Sequence, residues 1–197
     1  MGFYDEPDSV DRYEAMCADY DGTLIYHALA KHLEPGESLL ELGSGPGNDI
    51  EWFRRKYDVV GSDTSPEFLA RCRKRFPAID FLELDAVAIE TARQFDCLFS
   101  NKVLHHFNLD DLVYSFKRQT RVIAPGGLFA HTFWIGDFQG EMQGMYFHFH
   151  DRDELLDIIG EYFDVVDAID YDEMEEGDSL FVIARNGQSS TETVVLQ

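Results

Sequence analysis

From Ser38 onward, short apolar runs alternate with segments whose apolar residues recur every three or four positions. Ser38-Leu39-Leu40-Glu41-Leu42-Gly43 predicts a strand ending in glycine, and residues 48–56 predict a helix with Asn48 in the capping position. Asp58–Asp63 reads as a second strand. Ser65-Pro66-Glu67 then opens a helix with a capping hydroxyl, a proline at the first helical position and an acid in the first turn. Residues 79–85, 95–100 and 128–134 predict three further strands. Before the last of these, Leu109, Leu112, Val113, Phe116 and Ile123 fall at helical spacing behind Asn108, and Pro125-Gly126-Gly127 ends that helix. Asp151-Arg152-Asp153-Glu154 fits a capping box before Leu155, Leu156, Ile158 and Ile159.

The chain closes differently. Residues 163–171 and 179–185 are strand-like with no helix between them, and the acidic stretch 172–178 makes them a hairpin. Strands alternating with helices and then a hairpin predict an α/β fold: a doubly wound, mostly parallel seven-stranded sheet with a C-terminal antiparallel hairpin and helices on both faces.

Composition narrows the partners. Of 197 residues, 38 are acidic and 16 basic, for a formal net charge of −22. Such a surface repels phosphate backbones and anionic lipid, so neither nucleic acid nor membrane is expected as a partner. Only five of the sixteen basic residues are lysines, and the acidity fits adaptation to a salty cytoplasm. Cys17, Cys72 and Cys97 are odd in number and show no Cys-x-x-Cys spacing, so buried thiols in a reducing cytosol are expected. MGFYDEPDSVDRYE lacks a basic region followed by an apolar run, so no secretory leader is expected and the location is taken as cytoplasmic.

Chemistry concentrates where the first strand meets the first helix, at Glu41-Leu42-Gly43-Ser44-Gly45-Pro46-Gly47. A dinucleotide fingerprint counted from Gly43 would need a third glycine where Asn48 stands, which speaks against a nicotinamide oxidoreductase. The glycines instead alternate, two residues after an acid. With this motif the chain resembles the class I, Rossmann-like S-adenosylmethionine-dependent methyltransferases, small-molecule branch. Asp63 ends the second strand and Asp85 the third, as the family's ribose and adenine contacts do; residues 95–107 resemble its fourth motif and Ala124-Pro125-Gly126-Gly127-Leu128 its turn before strand five. The resemblance implies S-adenosyl-L-methionine as cofactor, held by Glu41, Gly43, Ser44, Gly45, Gly47, Asp63, Thr64, Asp85, Ala86, Asn101 and Val103. It implies in-line methyl transfer to a small-molecule acceptor, with His105 or His106 as a general base if a proton must leave. It also makes residues 1–37 a helical cap segment, 38–186 the methyltransferase domain and 187–197 a tail.

Two regions are candidates for acceptor contact. Residues 135–150, rich in aromatic, methionine and histidine side chains with three glycines, read as a lid or as an ordinary connection; Trp134, Met145, Tyr146 and His148 are its candidates. Tyr13 and Tyr20 of the cap segment are the others. His148-x-His150 has strand-like spacing for a metal but lacks a third ligand, so none is assigned. Asp19-Tyr20-Asp21-Gly22-Thr23-Leu24 resembles the nucleophile loop of haloacid dehalogenase-type phosphatases, and Ile135-Gly136-Asp137 with Glu141 their acidic motif. Against that, residues 11–18 before Asp19 are polar and helix-like, where a buried strand is required. A cofactor-binding protein without catalysis is the remaining alternative.

Overall fold

A computed structural model describes residues 7–142 and 144–187. Residues 1–6 of the cap segment and 188–197 of the tail lie outside this description. Helices α1 (Pro7–Met16) and α2 (Thr23–Leu29) precede the sheet. There follow β1 (Ser38–Leu42), α3 (Asn48–Phe53), β2 (Asp58–Asp63), α4 (Pro66–Arg75), β3 (Asp80–Glu83), β4 (Phe95–Ser100), α5 (Leu109–Val122) and β5 (Ile123–Trp134). The chain then forms β6 (Gln139–Met142), β7 (Met145–His148), α6 (Arg152–Gly160), β8 (Asp164–Tyr171) and β9 (Ser179–Arg185).

The main sheet has seven strands in the order β3-β2-β1-β4-β5-β9-β8. The first five run parallel, and β9 inserts antiparallel between β5 and β8. Because both faces are covered, strand residues alternate between two apolar clusters rather than between core and solvent. Leu40, Leu42, Phe129 and Val182 pack with α5 and α6, while Leu39, Phe99, Ala130 and Phe181 pack with α2, α3 and α4. Glu41 falls by alternation on the second of these faces, beneath α3. That placement buries a carboxylate in the core.

Local chemistry sets the helix ends. Ser65 accepts from the Phe68 amide, Asn108 from Asp111, and Asp151 from both Asp153 and Glu154. Helix α3 departs from the expected start: Gly47 is the capping residue, at φ +79°, and Asn48 lies inside the helix, its amide donating to the Cys17 carbonyl at 3.1 Å. A left-handed glycine already makes the turn, which frees the asparagine to tie the N-terminal segment down. Helix α2 stops at Leu29, and β5 begins at Ile123 rather than at residue 128, its register against β4 shifting between Phe95 and Cys97.

Asp19 lies in the connection between α1 and α2, not at a strand end, so the phosphatase geometry is absent there. Asp21 serves locally, accepting from the Thr23 amide at 2.9 Å. Residues 139–142 and 145–148 form a two-stranded sheet, β6 with β7, apart from the main sheet.

One buried polar chain crosses from sheet to helix. Gln119 Oε1 can only accept, so His131 donates to it from Nε2 (2.8 Å) and accepts at Nδ1 from Ser100 Oγ (2.7 Å). Gln119 donates to Ser115 Oγ, which donates to the Ala86 carbonyl at 2.7 Å. At the opposite end of the sheet, buried Asn186 donates to the carbonyls of Thr120 and Ile123, closing α5 onto β9. Asn186→Ala leaves both carbonyls unanswered and should lower unfolding free energy by about 1–2 kcal/mol in denaturant melts. An unchanged midpoint would show that water replaces the amide fully.

Candidate active site

The carboxyl ends of β1, β2, β3 and β4 open on one cavity of about 370 Å³, a volume suited to a small ligand. The glycine turn forms one wall. Gly43, Gly45 and Gly47 have φ of +66°, +47° and +79°, a run of left-handed conformations that L side chains resist. A Cβ on Gly43 would stand 2.6 Å from Val103 Cγ2, and one on Gly47 2.8 Å from Phe76. Gly43 and Gly45 face the cavity, whereas Gly47 serves packing and the start of α3.

Asp63 ties this turn to β2. Its Oδ2 accepts from the Gly45 amide at 2.9 Å and its Oδ1 from the Ser65 amide at 2.8 Å. Burial raises its carboxyl above the ordinary value, and those backbone donors oppose the shift. Asp85 accepts from the Val87 amide at 2.8 Å, beside Ala86. Asp63, Thr64, Asp85, Ala86, Asn101 and Val103 all line the cavity, as do Tyr13, His106, Met145 and Tyr146. Phe68, Leu84 and Phe107 join them without having been singled out by sequence. Each is an apolar residue just beyond a strand end, in the first turn of a helix or, for Phe107, after a 3₁₀ turn, and such positions look like ordinary core.

Beneath the turn lies a cluster of buried acids. Glu41 and Asp49 are 1% and 8% exposed. Burial, then the neighbouring Asp49, holds Glu41 well above the usual carboxylate range, so it keeps a proton and donates to Asp49. Asp49 is pushed up to about 6 by burial, even though it accepts from the Tyr26 hydroxyl and from Asn101 Nδ2. Glu41 Oε2 has no hydrogen-bond partner, and neither has the buried Ser44 hydroxyl. Asp49 escaped notice in the sequence because an acid in a first helical turn has an ordinary explanation.

Asn101 links this cluster to β5 and the N-terminal segment. It accepts from Thr132 Oγ1 at 2.9 Å and donates to the Tyr20 hydroxyl at 2.8 Å. Tyr20 thus stands behind Asn101 rather than on the cavity wall. Lys102 follows at φ +54°, and its ammonium reaches Ser179 Oγ (2.8 Å), the Phe133 carbonyl (3.2 Å) and Glu173 (3.3 Å), lying 3.6 Å from the Trp134 ring centre. Burial lowers it to about 8, with Glu173 opposing. Trp134 is therefore occupied by Lys102, away from the cavity wall.

The two histidines separate. His105 is buried, stacks on Phe147 with centroids 5.3 Å apart, and is held well below its ordinary value by burial; it does not line the cavity. His106 does, and its Nδ1 meets the Tyr146 carbonyl at 2.8 Å. A carbonyl only accepts, so that nitrogen carries the proton and Nε2 keeps its lone pair. His148 packs against His150, 4.3 Å between ring centres, and is not among the cavity residues. Among the described residues no three His, Cys, Asp or Glu side chains are grouped to hold a metal ion. Nor is any described helix long and apolar enough to cross a membrane.

A family model described as a methyltransferase domain matches residues 39–127. Trans-aconitate 2-methyltransferase of Methylobacterium nodulans is 36% identical over 99 residues, 47% of this chain. The match spans only 36% of that relative's own length. Among solved structures, the N-methyltransferase NodS of Bradyrhizobium japonicum, bound to S-adenosyl-L-homocysteine, superposes with a TM-score of 0.72 at 18% identity, covering 91% of this chain and 97% of its own. The 1,6-didemethyltoxoflavin-N1-methyltransferase of Burkholderia thailandensis, bound to its namesake and S-adenosylhomocysteine, gives 0.69 at 21% identity, covering 95% and 92%. Both likenesses establish the fold.

The raised acidity of Asp49 has a signed consequence for stability. A native carboxyl that titrates near 6 against an ordinary 3.8 binds more protons than the unfolded chain between those values. Its contribution to stability therefore declines as pH rises from about 4 to about 6. Asp49→Asn removes the buried charge, so the variant should gain on the wild type by up to about 3 kcal/mol at pH 7 and by almost nothing at pH 4. Paired melts at the two values decide it; a gap that is constant with pH counts against a buried ionised Asp49.

Proposed function

We propose that this chain is a class I S-adenosylmethionine-dependent methyltransferase and transfers a methyl group to a small-molecule acceptor. The observation that carries the reading is the convergence on one cavity of a left-handed glycine turn after β1 and the acids that follow β2 and β3. When bound, the cofactor supplies a methyl group on a sulfonium sulfur, open to in-line displacement that leaves the C–S electron pair on sulfur.

The residues present fit that group. Asp63 retains acceptor capacity beyond its backbone donors and would accept from the ribose hydroxyls. Asp85 and Ala86 would hold the adenine, and Phe68 and Leu84 would give it apolar walls. Gly43 and Gly45 let the backbone approach the amino-acid end. Buried Asp49 would supply negative charge for an ammonium there, and protonated Glu41 an unpartnered oxygen able to accept from it. Gly47 and Ser44 shape the turn, and Val103 backs Gly43 on the cavity wall.

The remaining side chains orient the acceptor and exclude water. Tyr13, Met145 and Tyr146 close the mouth from the cap segment, residues 1–37, and from the β6–β7 hairpin. His106 is the group placed to take a proton at Nε2, and burial lowers its affinity for that proton so it stays neutral near pH 7. His105 supports it by packing. The domain proper comprises residues 38–186, and the acidic chain works in the cytoplasm on a small acceptor rather than on nucleic acid or a membrane surface.

Calorimetry of the full chain with S-adenosylmethionine and S-adenosylhomocysteine tests the reading directly. Binding is expected, with Asp63→Ala weakening both by at least about tenfold; no heat from the wild type would end the proposal. Once an acceptor is in hand, His106→Gln should cut kcat by about 10²-fold or more with cofactor affinity held within about twofold. Equal turnover by that variant would remove His106 as the base.

A further inference from the structure

The cavity has almost no positive charge to offer a ligand. Of the sixteen lysines and arginines in the chain, every one within the described residues, only Lys102 lines it. That ammonium is already spent on Glu173, Ser179, the Phe133 carbonyl and the face of Trp134. The arginines outside the glycine turn are likewise engaged. Arg71 is paired with Asp11, Glu14 and Glu67, while Arg75 donates to the Pro46 carbonyl and lies over Phe76.

What faces the mouth of the cavity is different in kind. Tyr13, Phe107, Met145 and Tyr146 give it an apolar and aromatic wall. Because the Nδ1 proton of His106 goes to Tyr146, the nitrogen left for a ligand is a lone pair, which accepts from O–H or N–H and repels a carboxylate oxygen. Asp63 and Asp85 on the same cavity add negative charge. A carboxylate leaving water needs charged or multiple hydrogen-bond donors, and without them the transfer is strongly unfavourable.

We propose that the acceptor subsite, formed by Tyr13, His106, Phe107, Met145 and Tyr146, takes an uncharged or cationic molecule presenting a hydroxyl or N–H group, and rejects carboxylates. This rests on the methyltransferase reading and narrows it. It also sets the chain apart in acceptor class from the trans-aconitate 2-methyltransferases it resembles in sequence, whose named acceptor is a carboxylic acid.

The test uses the full chain saturated with S-adenosylhomocysteine and titrated calorimetrically with catechol, benzylamine, benzoate and trans-aconitate. The wild type should bind catechol or benzylamine at least about tenfold more tightly than either carboxylate. Met145→Arg, which adds an unpaired cation to the wall, should raise affinity for benzoate and trans-aconitate by about tenfold or more. Carboxylate binding equal to or tighter than that of the donor probes, including the absence of any preference, overturns the proposal. So does a Met145→Arg variant that keeps cofactor affinity yet gains nothing for carboxylates. Failure of S-adenosylhomocysteine itself to bind is a separate result and strikes the methyltransferase reading instead.

Discussion

The Asp63 carboxylate is the joint on which the site depends. By accepting from the Gly45 amide it fastens the turn after β1 to the end of β2, and by accepting from Ser65 it fixes the start of α4. Three left-handed glycines in alternate positions would otherwise be a costly segment to order. Parallel pairing makes the joint possible, since Leu42 lies opposite Ser62 and both strands therefore finish at the same edge. The glycine turn and the acids after β2 and β3 meet at the cavity because of that common edge.

Charge explains much of what surrounds it. A chain with a formal charge of −22 buries two carboxylates beneath its glycine turn, and the cost is reduced by sharing a proton between Glu41 and Asp49 and by donors from Tyr26 and Asn101. The cation nearest the cavity is drawn away from it by Glu173 in the turn between β8 and β9. Lys102 is held in a left-handed conformation by that anchorage, and so carries Asn101 and Val103 into place on either side. Recognition in the cavity is consequently left to acids, apolar walls and one imidazole lone pair.

The region beyond β4 shows how one pattern of residues divides between packing and chemistry. His105 and His106 are adjacent and chemically identical, yet the 3₁₀ turn at Leu104–His106 sends one into the core against Phe147 and the other to the cavity. The bond from His106 to the Tyr146 carbonyl also joins the β6–β7 hairpin to this turn, so the imidazole both holds the hairpin and faces the ligand space. One contact thereby couples the hairpin to the cavity wall.

The fold class, the order of strands and helices, the C-terminal hairpin and the glycine turn were legible in the sequence. Each depends on local periodicity, turn chemistry or spacing, which a linear chain displays directly. Asp63 and Asp85 were legible for the same reason, because a strand's end marks its cavity edge. Which residues face the ligand was decided by tertiary structure alone. The burial of Asp49 beneath β1, the retreat of Tyr20 and Trp134 behind Asn101 and Lys102, and the parting of His105 from His106 arise between residues up to 81 apart or from the twist of one short turn. Contacts of that range leave no periodic trace, since either partner alone looks like an ordinary cap, core or surface residue.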